Sequence, residues 1–362
     1  MKPWLAYAAT FGAAFLAMLV FTPLAMAAAR RLGFLDRPNT ALKRHEKPVP
    51  YLGGLAIFAS FSLALTGSKF FLFPHPTGLW PAALDVFKGV YAIWLGALLS
   101  TLLGLVDDAR ALSPSAKFGG QLVAALALVW CGIHIRFVPQ PWLAVVLTLL
   151  WVVGVSNAMN FVDILDGLAA GVAGIAALGF FLFSQHVGRD NDSIAALALA
   201  GACAGFLVFN FAPARIYMGD AGSMMLGFVL AAISLNETYS RQNLLAVLSP
   251  LLILSLPVFD VLLMSVIRTR KGIPPWKGSP DHIPLRLRHL GFSKRATALI
   301  LYAATAALSL LAYGASFLPG RDAVLVWALV GLSAFLAGAW LMGIPMPHDR
   351  PGEGKPARHR RR

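Results

Sequence analysis

Apolar runs of membrane-spanning length recur along nearly the whole chain, and a chain built this way has few folds open to it. Reading stretches of about 17 to 25 apolar residues as spanning helices places them near 3–28, 51–73, 86–106, 117–135, 140–158, 164–186, 193–212, 221–236, 243–267, 296–317 and 322–344. The expected fold class is therefore all-α, a polytopic membrane bundle of eleven helices. Composition agrees: the chain is 58% hydrophobic and 13% charged, where a soluble domain carries about a quarter charged residues. Lipid accepts only segments that satisfy their own backbone hydrogen bonds, which is why these runs are read as helices.

Eleven crossings put the termini on opposite sides. The side that holds the 27–50, 107–117, 157–166, 212–222 and 268–295 loops and the tail carries 23 of the 30 Lys and Arg residues, and the other side carries seven. By the positive-inside rule the first set is cytoplasmic and the N-terminus lies outside. Residues 1–346 are read as one membrane domain, with the first helix retained rather than cleaved as a signal peptide. Residues 347–362, rich in Pro, Gly and Arg, are read as a disordered basic cytoplasmic tail. The formal charge of +14 then belongs to topology and to contact with anionic lipid, not to nucleic-acid binding. Cys131 and Cys203 both fall in expected helices and imply neither a disulfide framework nor a metal site.

Sixteen Asp and Glu residues are few for 362, and every cytoplasmic loop has some. Asp36 and Glu46 lie in the first, Asp107 and Asp108 open the second, Asp163 and Asp166 lie in the third, Asp220 in the fourth and Asp281 in the fifth. Charge at the edge of hydrocarbon is costly and marks a site or pathway. Asp163 alone could instead cap the helix expected from residue 164. A cap explains one of the adjacent Asp107 and Asp108 but leaves the other, since neighbouring carboxylates repel unless a cation or a base holds them.

The stretch NAMNFVDILDGLAAG, residues 157–171, spaces Asn160, Asp163 and Asp166 three apart, so on a helix they share one face. Hard oxygen donors of this kind suit Mg²⁺, which takes one or two carboxylates together with substrate phosphates; Mn²⁺ is the alternative ion. In GDAGS, residues 219–223, glycines flank Asp220 at an expected helix start, where backbone N–H groups can approach a phosphate. Lys43, Arg44, Lys47, His282, Arg286 and Arg288 supply cations for phosphates, or else anchor the cytoplasmic face. Asp260 lies inside an expected helix, either reaching the site or packed against a hydrogen-bonding neighbour. Acidic loops for magnesium and basic loops for phosphate on one face point to phosphoryl transfer to or from a membrane-embedded substrate. The rival reading is a secondary transporter, whose carboxylates are expected nearer mid-membrane.

The motifs LGLVDDARALSPSAKFGGQ, NAMNFVDILDGLAAG, ARIYMGDAGSMMLGF and DHIPLRLRHLG, in this order, resemble those of the polyprenyl-phosphate N-acetylhexosamine-1-phosphate transferases, a superfamily that also holds the phospho-N-acetylmuramoyl-pentapeptide translocase. The resemblance covers about residues 36–295. It implies transfer of a sugar-1-phosphate from a UDP-N-acetylhexosamine, by default UDP-GlcNAc, to a polyprenyl phosphate, by default undecaprenyl phosphate, with release of UMP. It also implies Mg²⁺ dependence, a bacterial cytoplasmic membrane and a site facing the cytoplasm; a homodimer is left open. Carried over residue by residue, Asp107 and Asp108 line the centre, with Asp107 the candidate base. Asp220 is the principal magnesium ligand, with Asp108 and Asp163 beside it. Asn160, Asp163 and Asp166 border metal and nucleotide, Asn210 and Tyr217 meet uracil, and Lys43 or Lys47 holds the diphosphate. In the fifth loop relatives commonly show His-x-His-His followed by Arg. Here the run is His282, Ile283, Pro284, Leu285, Arg286, which argues against the muramoyl-pentapeptide branch and leaves His282 and Arg286 to grip the sugar phosphate. Direct displacement and a route through an aspartyl phosphate both use these residues.

Overall fold

A computed structural model describes residues 3–36, 48–68, 89–236, 244–274 and 280–346. The helices are α1 (Pro3–Leu32), α2 (Gly53–Gly67), α3 (Val90–Arg110), α4 (Pro114–Trp130), α5 (Pro141–Val162), α6 (Leu168–Val187), α7 (Asp190–Asn210), α8 (Gly219–Asn236), α9 (Ser249–Ile253), α10 (Ser255–Arg270), α11 (Ile283–His289), α12 (Lys294–Ala315) and α13 (Gly320–Met342). A 3₁₀ segment, Leu244–Leu248, precedes α9. Two short strands, β1 (Leu35–Asp36) and β2 (Val49–Pro50), pair antiparallel. Among the described residues seven helices are long and apolar enough to cross a membrane, or eight if the pair bent by 80° at residue 254 is one span. The protein is thus a multi-pass helical membrane protein. Helix α2 and α8 are apolar but shorter.

Burial runs from the centre outward. In α7, 78% of the most apolar window is buried, against 11% in α13 and 17% in α1. The central helices are rich in Ala and Gly, and small residues let helix axes approach where lipid offers no hydrophobic drive for association. Leu325, Leu329, Leu332, Phe335 and Leu336 of α13 stay exposed, as a lipid-facing helix requires.

Two glycines place the start of α8. A Cβ on Gly54 of α2 would lie 2.7 Å from the Ala221 carbonyl carbon, and one on Gly104 of α3 would collide with the Asp220–Ala221 backbone. Any larger residue at either position would push α2 or α3 off the first turn of α8. The β1–β2 ribbon seals the same end: Tyr217 N–H donates to Pro50 O (2.9 Å), Gly53 N–H to Tyr217 O (3.0 Å) and Gly54 N–H to Met218 O (2.9 Å). The last turns of α3, α5 and α7 therefore meet the first turns of α4, α6 and α8 at one end of the bundle.

Candidate active site

Helix α3 ends with Asp107, Asp108, Ala109 and Arg110. The chain turns sharply there. Ala111 adopts the left-handed region at φ +46°, strained by about 1–2 kcal/mol for a residue with a Cβ, and Leu112 N–H donates to Asp107 Oδ1 at 2.7 Å. Ser113 and Pro114 start α4, the Ser113 hydroxyl accepting from Ala116 N–H at 3.3 Å. One turn into α4, Lys117 comes back to Asp107, with Nζ 2.8 Å from Oδ2. The same ammonium bonds Asp220 of α8 and reaches Asn160 Oδ1 of α5 at 3.4 Å. Asn160 Nδ2 in turn donates to Asp220 Oδ1 and to Ser223 Oγ, both at 2.8 Å. Four helices thus deliver two carboxylates, a carboxamide and an ammonium to one point.

Asp108 has a different place. Its two oxygens accept the N–H groups of Asp220 (2.8 Å) and Ala221 (3.1 Å), so a carboxylate from α3 caps α8 from outside and complements its dipole. The α8 N–H groups that the sequence suggested for phosphate are thereby already engaged by Asp108.

Asn160, Asp163 and Asp166 do not share one helical face. Helix α5 stops at Val162, and Asp163 follows it as the C-cap residue; α6 begins only at Leu168, behind a left-handed Gly167 at φ +80°. Asp163 is therefore not the N-cap of α6. Burial, and then the charges of Asp220, Asp108 and Asp166, push its carboxyl up to about 7. Asp166 turns away to Lys294 Nζ at 3.2 Å and accepts from Ala214 N–H at 3.3 Å. Asn210, 3% exposed, accepts from Gly167 N–H at 3.0 Å and donates to Ile216 O at 2.8 Å. It ties the 163–167 turn to the 211–218 loop and meets no open space. Tyr217 lies in that loop with its ring edge-on to Tyr51, centroids 6.3 Å apart. Burial and the nearby Asp166, Asp36 and Asp163 push its phenol up to about 12.

A cavity of about 510 Å³ opens at this end, with Asp36, Tyr51, Asp107, Asp108, Ala111 and Asp220 in its wall. Among the described residues its polar lining side chains are four carboxylates and Tyr51. Among the described residues no three His, Cys, Asp or Glu side chains stand together as a metal site. The oxygens of Asp107, Asp220 and Asn160 nevertheless already converge on one cation, the Lys117 ammonium, and hard oxygens around a cation are the donor chemistry that suits Mg²⁺. The donor set fits a magnesium ion, which Asp220 would hold, with Asp107 and Asp163 near it.

His282 and Arg286 form a second, closed cluster. His282 Nδ1 lies 2.7 Å from Asp260 Oδ2, and Asp260 Oδ1 accepts Ile283 N–H at 2.7 Å. Asp260 is thus the helix-packing carboxylate with a hydrogen-bonded neighbour. The imidazole lies 6.2 Å from the ring of Phe161, beside Asn160. Arg286, 1% exposed, donates to Asp281 O (3.1 Å), Asp281 Oδ1 (2.9 Å), Leu341 O (2.8 Å) and Ile344 O (3.0 Å). It clamps the end of α13 instead of facing the cavity. Lys43 and Lys47 lie outside the described residues.

Lys117, the hub of the site, and Ser223 were given no role by the sequence reading, although both stand inside its motifs. A lysine in the first turn of an apolar helix, nine residues after a carboxylate pair, was the available signal.

Residues 90–237, from α3 through α8, match glycosyl transferase family 4, so the match takes in every member of the Lys117 cluster. The chain is 33% identical over 296 residues to a probable undecaprenyl-phosphate N-acetylglucosaminyl 1-phosphate transferase of Bacillus subtilis, covering 79% of this chain and 78% of that one. It is 34% identical over 334 residues to the decaprenyl-phosphate N-acetylglucosaminephosphotransferase of Mycobacterium tuberculosis, covering 83% and 81%. Identity to the undecaprenyl-phosphate alpha-N-acetylglucosaminyl 1-phosphate transferase of Salmonella typhimurium is 26% over 311 residues, covering 82% and 80%. The chain belongs to glycosyl transferase family 4, among the polyprenyl-phosphate N-acetylhexosamine-1-phosphate transferases.

Proposed function

We propose that this protein transfers N-acetylglucosamine-1-phosphate from UDP-GlcNAc to a polyprenyl phosphate, undecaprenyl phosphate by default, and so starts a lipid-linked surface glycan. The observation that carries the reading is that Asp107 and Asp220, in the wall of an acidic cavity at the helix ends, are joined by Lys117, with Asn160 bonded to Asp220. An oxygen of the lipid phosphate attacks the sugar-proximal phosphorus of the nucleotide sugar. The bond from that phosphorus to the bridging oxygen breaks, and UMP leaves with the electron pair. When bound, Mg²⁺ supplies positive charge at the diphosphate. Lys117 supplies a fixed cation beside it, preorganised by Asp107 and Asp220 at no cost during reaction. Asp107 keeps the lipid phosphate ionised, and Asp108 fixes the start of α8 so that Asp220 faces the cavity. Tyr217, protonated at neutral pH, offers a ring for uracil.

In this reading the bundle crosses the bacterial inner membrane eleven times, with the N-terminus outside and the site cytoplasmic, because that end gathers the Lys and Arg excess. The carboxylates sit in the last turn of α3, just after α5 and in the first turn of α8. Nothing in that placement favours a transporter.

The test is UMP release by purified protein given undecaprenyl phosphate, Mg²⁺ and UDP-GlcNAc, with UDP-GalNAc and EDTA in parallel. UMP that requires both lipid and metal, and appears faster with UDP-GlcNAc, is the expected result. Folded protein that releases no UMP from any UDP-sugar overturns the reading.

A further inference from the structure

Tyr51 lies in the cavity wall, and the reaction above assigns it no part. Its backbone is held from several sides: its N–H donates to Phe34 O at 3.2 Å, while its neighbours Pro50 and Gly53 bond the backbone of Tyr217 at 2.9 and 3.0 Å. Its ring meets Tyr217 at 83°, which limits ring rotation. Tyr51 lines the 510 Å³ cavity together with Asp107, Asp108 and Asp220, and Asp108 and Asp220 are the charges that act on its phenol most strongly.

Among the described residues the Tyr51 hydroxyl makes no hydrogen bond, although carboxylates surround it. Both oxygens of Asp108, the first of these, already accept N–H groups of α8. An ionised carboxylate can only accept, so among the described residues the acidic wall offers few donors to an incoming phosphate. Lys117 is one, and it is already shared among Asp107, Asp220 and Asn160. A donor fixed on the wall of an open cavity, with no acceptor among the described residues, matches an acceptor carried by the ligand.

We propose that Tyr51 is a further catalytic residue, whose hydroxyl donates a hydrogen bond to a non-bridging phosphate oxygen of the bound substrate. No proton is transferred; the phenol stays a donor throughout. The inference rests on the phosphotransferase reading. The phosphate oxygen belongs either to the lipid monophosphate or to the nucleotide diphosphate, and the two sources separate kinetically.

The experiment compares wild type with Tyr51→Phe, which keeps the ring against Tyr217 and removes only the hydroxyl. UMP release is measured with undecaprenyl phosphate varied at saturating UDP-GlcNAc and then the reverse, alongside the melting temperature and its shift with each substrate alone. A hydrogen bond to a charged acceptor predicts a loss in kcat/KM of about 10- to 100-fold. A loss confined to the lipid arm places the contact on the lipid phosphate, and one confined to the nucleotide arm places it on the diphosphate. Packing alone would move the melting temperature and leave both arms within twofold of wild type, which overturns the proposal. If Tyr51→Phe melts early, Tyr51→His, which restores an N–H donor on a ring, should recover activity over it; equal activity of the two also overturns the proposal. Wild type that releases no UMP counts against the reaction. In that case the thermal shifts decide the contact: equal stabilisation of wild type and Tyr51→Phe by both substrates, or none of wild type by either, removes it.

Discussion

Two ion clusters lie at the same end of this bundle, and they handle charge in opposite ways. In the first, Lys117, Asp107 and Asp220 have side chains 18%, 11% and 28% exposed, and the two carboxylates line a cavity large enough for phosphate groups. In the second, Arg286 and Asp281 are 2% and 1% exposed, and the guanidinium is bonded to one carboxylate and three backbone carbonyls. Both are acid–base clusters next to a membrane, and residue type alone does not tell them apart. What separates them is whether the cation's partners are oxygens of the fold's own backbone or side chains open to a cavity. A closed cluster fastens elements together, whereas an open one is held ready for another ligand.

The largest effect that would break this distinction lies at Asp220. Replacing it by Asn keeps the volume and removes the charge that Lys117 and the proposed metal share. UMP release is expected to fall on the order of 10³-fold with the melting temperature close to wild type. Near-full turnover in that variant would show that the open cluster is not the reaction centre. Lys117→Met comes next. It leaves Asp107 and Asp220 facing each other without a cation, and kcat should drop about 100-fold while the KM for UDP-GlcNAc changes little. A large rise in KM with kcat preserved would instead make Lys117 a binding group.

The closed cluster should respond in the opposite way, through stability and not turnover. Arg286→Met leaves Asp281 buried beside Lys271 (3.1 Å) and frees the carbonyls of Leu341 and Ile344. Breaking a buried ion pair costs about 3–5 kcal/mol, so the melting temperature should fall steeply. The fraction that remains folded should turn over at close to the wild-type rate. If instead Arg286→Met keeps its melting temperature and loses activity, the guanidinium grips substrate as the motif resemblance implied, and the contrast between the clusters collapses.

These contrasts mark where sequence reading reaches its limit. The apolar runs were legible because the rule behind them, that lipid accepts only segments bonded to themselves, acts on each helix separately. Each of the eleven expected stretches overlaps helix, although only seven or eight spans meet the length and hydropathy criteria among the described residues. Asp107 and Asp220, which line one cavity, stood out in the sequence because acid near hydrocarbon is rare. The direction of Arg286 was not legible, because it depends on the end of α13 arriving from 55 residues away. Asn210 was misjudged for the same reason: its amide joins two loops whose proximity is set only once α5, α6 and α7 have packed. Asn160, Asp163 and Asp166 looked like a helical face, yet the glycine at 167 and the early end of α5 turn the last two out of the helix. Lys117 was missed because the turn at Ala111, a residue that seldom takes a left-handed conformation, is what folds α4 back on α3.

The smallest effect sharpens the comparison within the open region itself, where Tyr217 borders the carboxylates without belonging to their ion pairs. Its backbone is bonded on both sides to the β2–α2 junction, so Tyr217→Ala removes the ring and leaves the loop in place. Loss of an aromatic platform for a base is worth about 1–3 kcal/mol in stacking, which predicts a KM for UDP-GlcNAc raised roughly 5- to 100-fold and a kcat within severalfold of wild type. The KM for undecaprenyl phosphate should not move, because the stacking energy belongs to the nucleotide in both ground and transition state. An effect confined to the lipid substrate would place the 211–218 loop on the prenyl chain's side of the cavity and shift the nucleotide toward Asp36 and the β1–β2 ribbon.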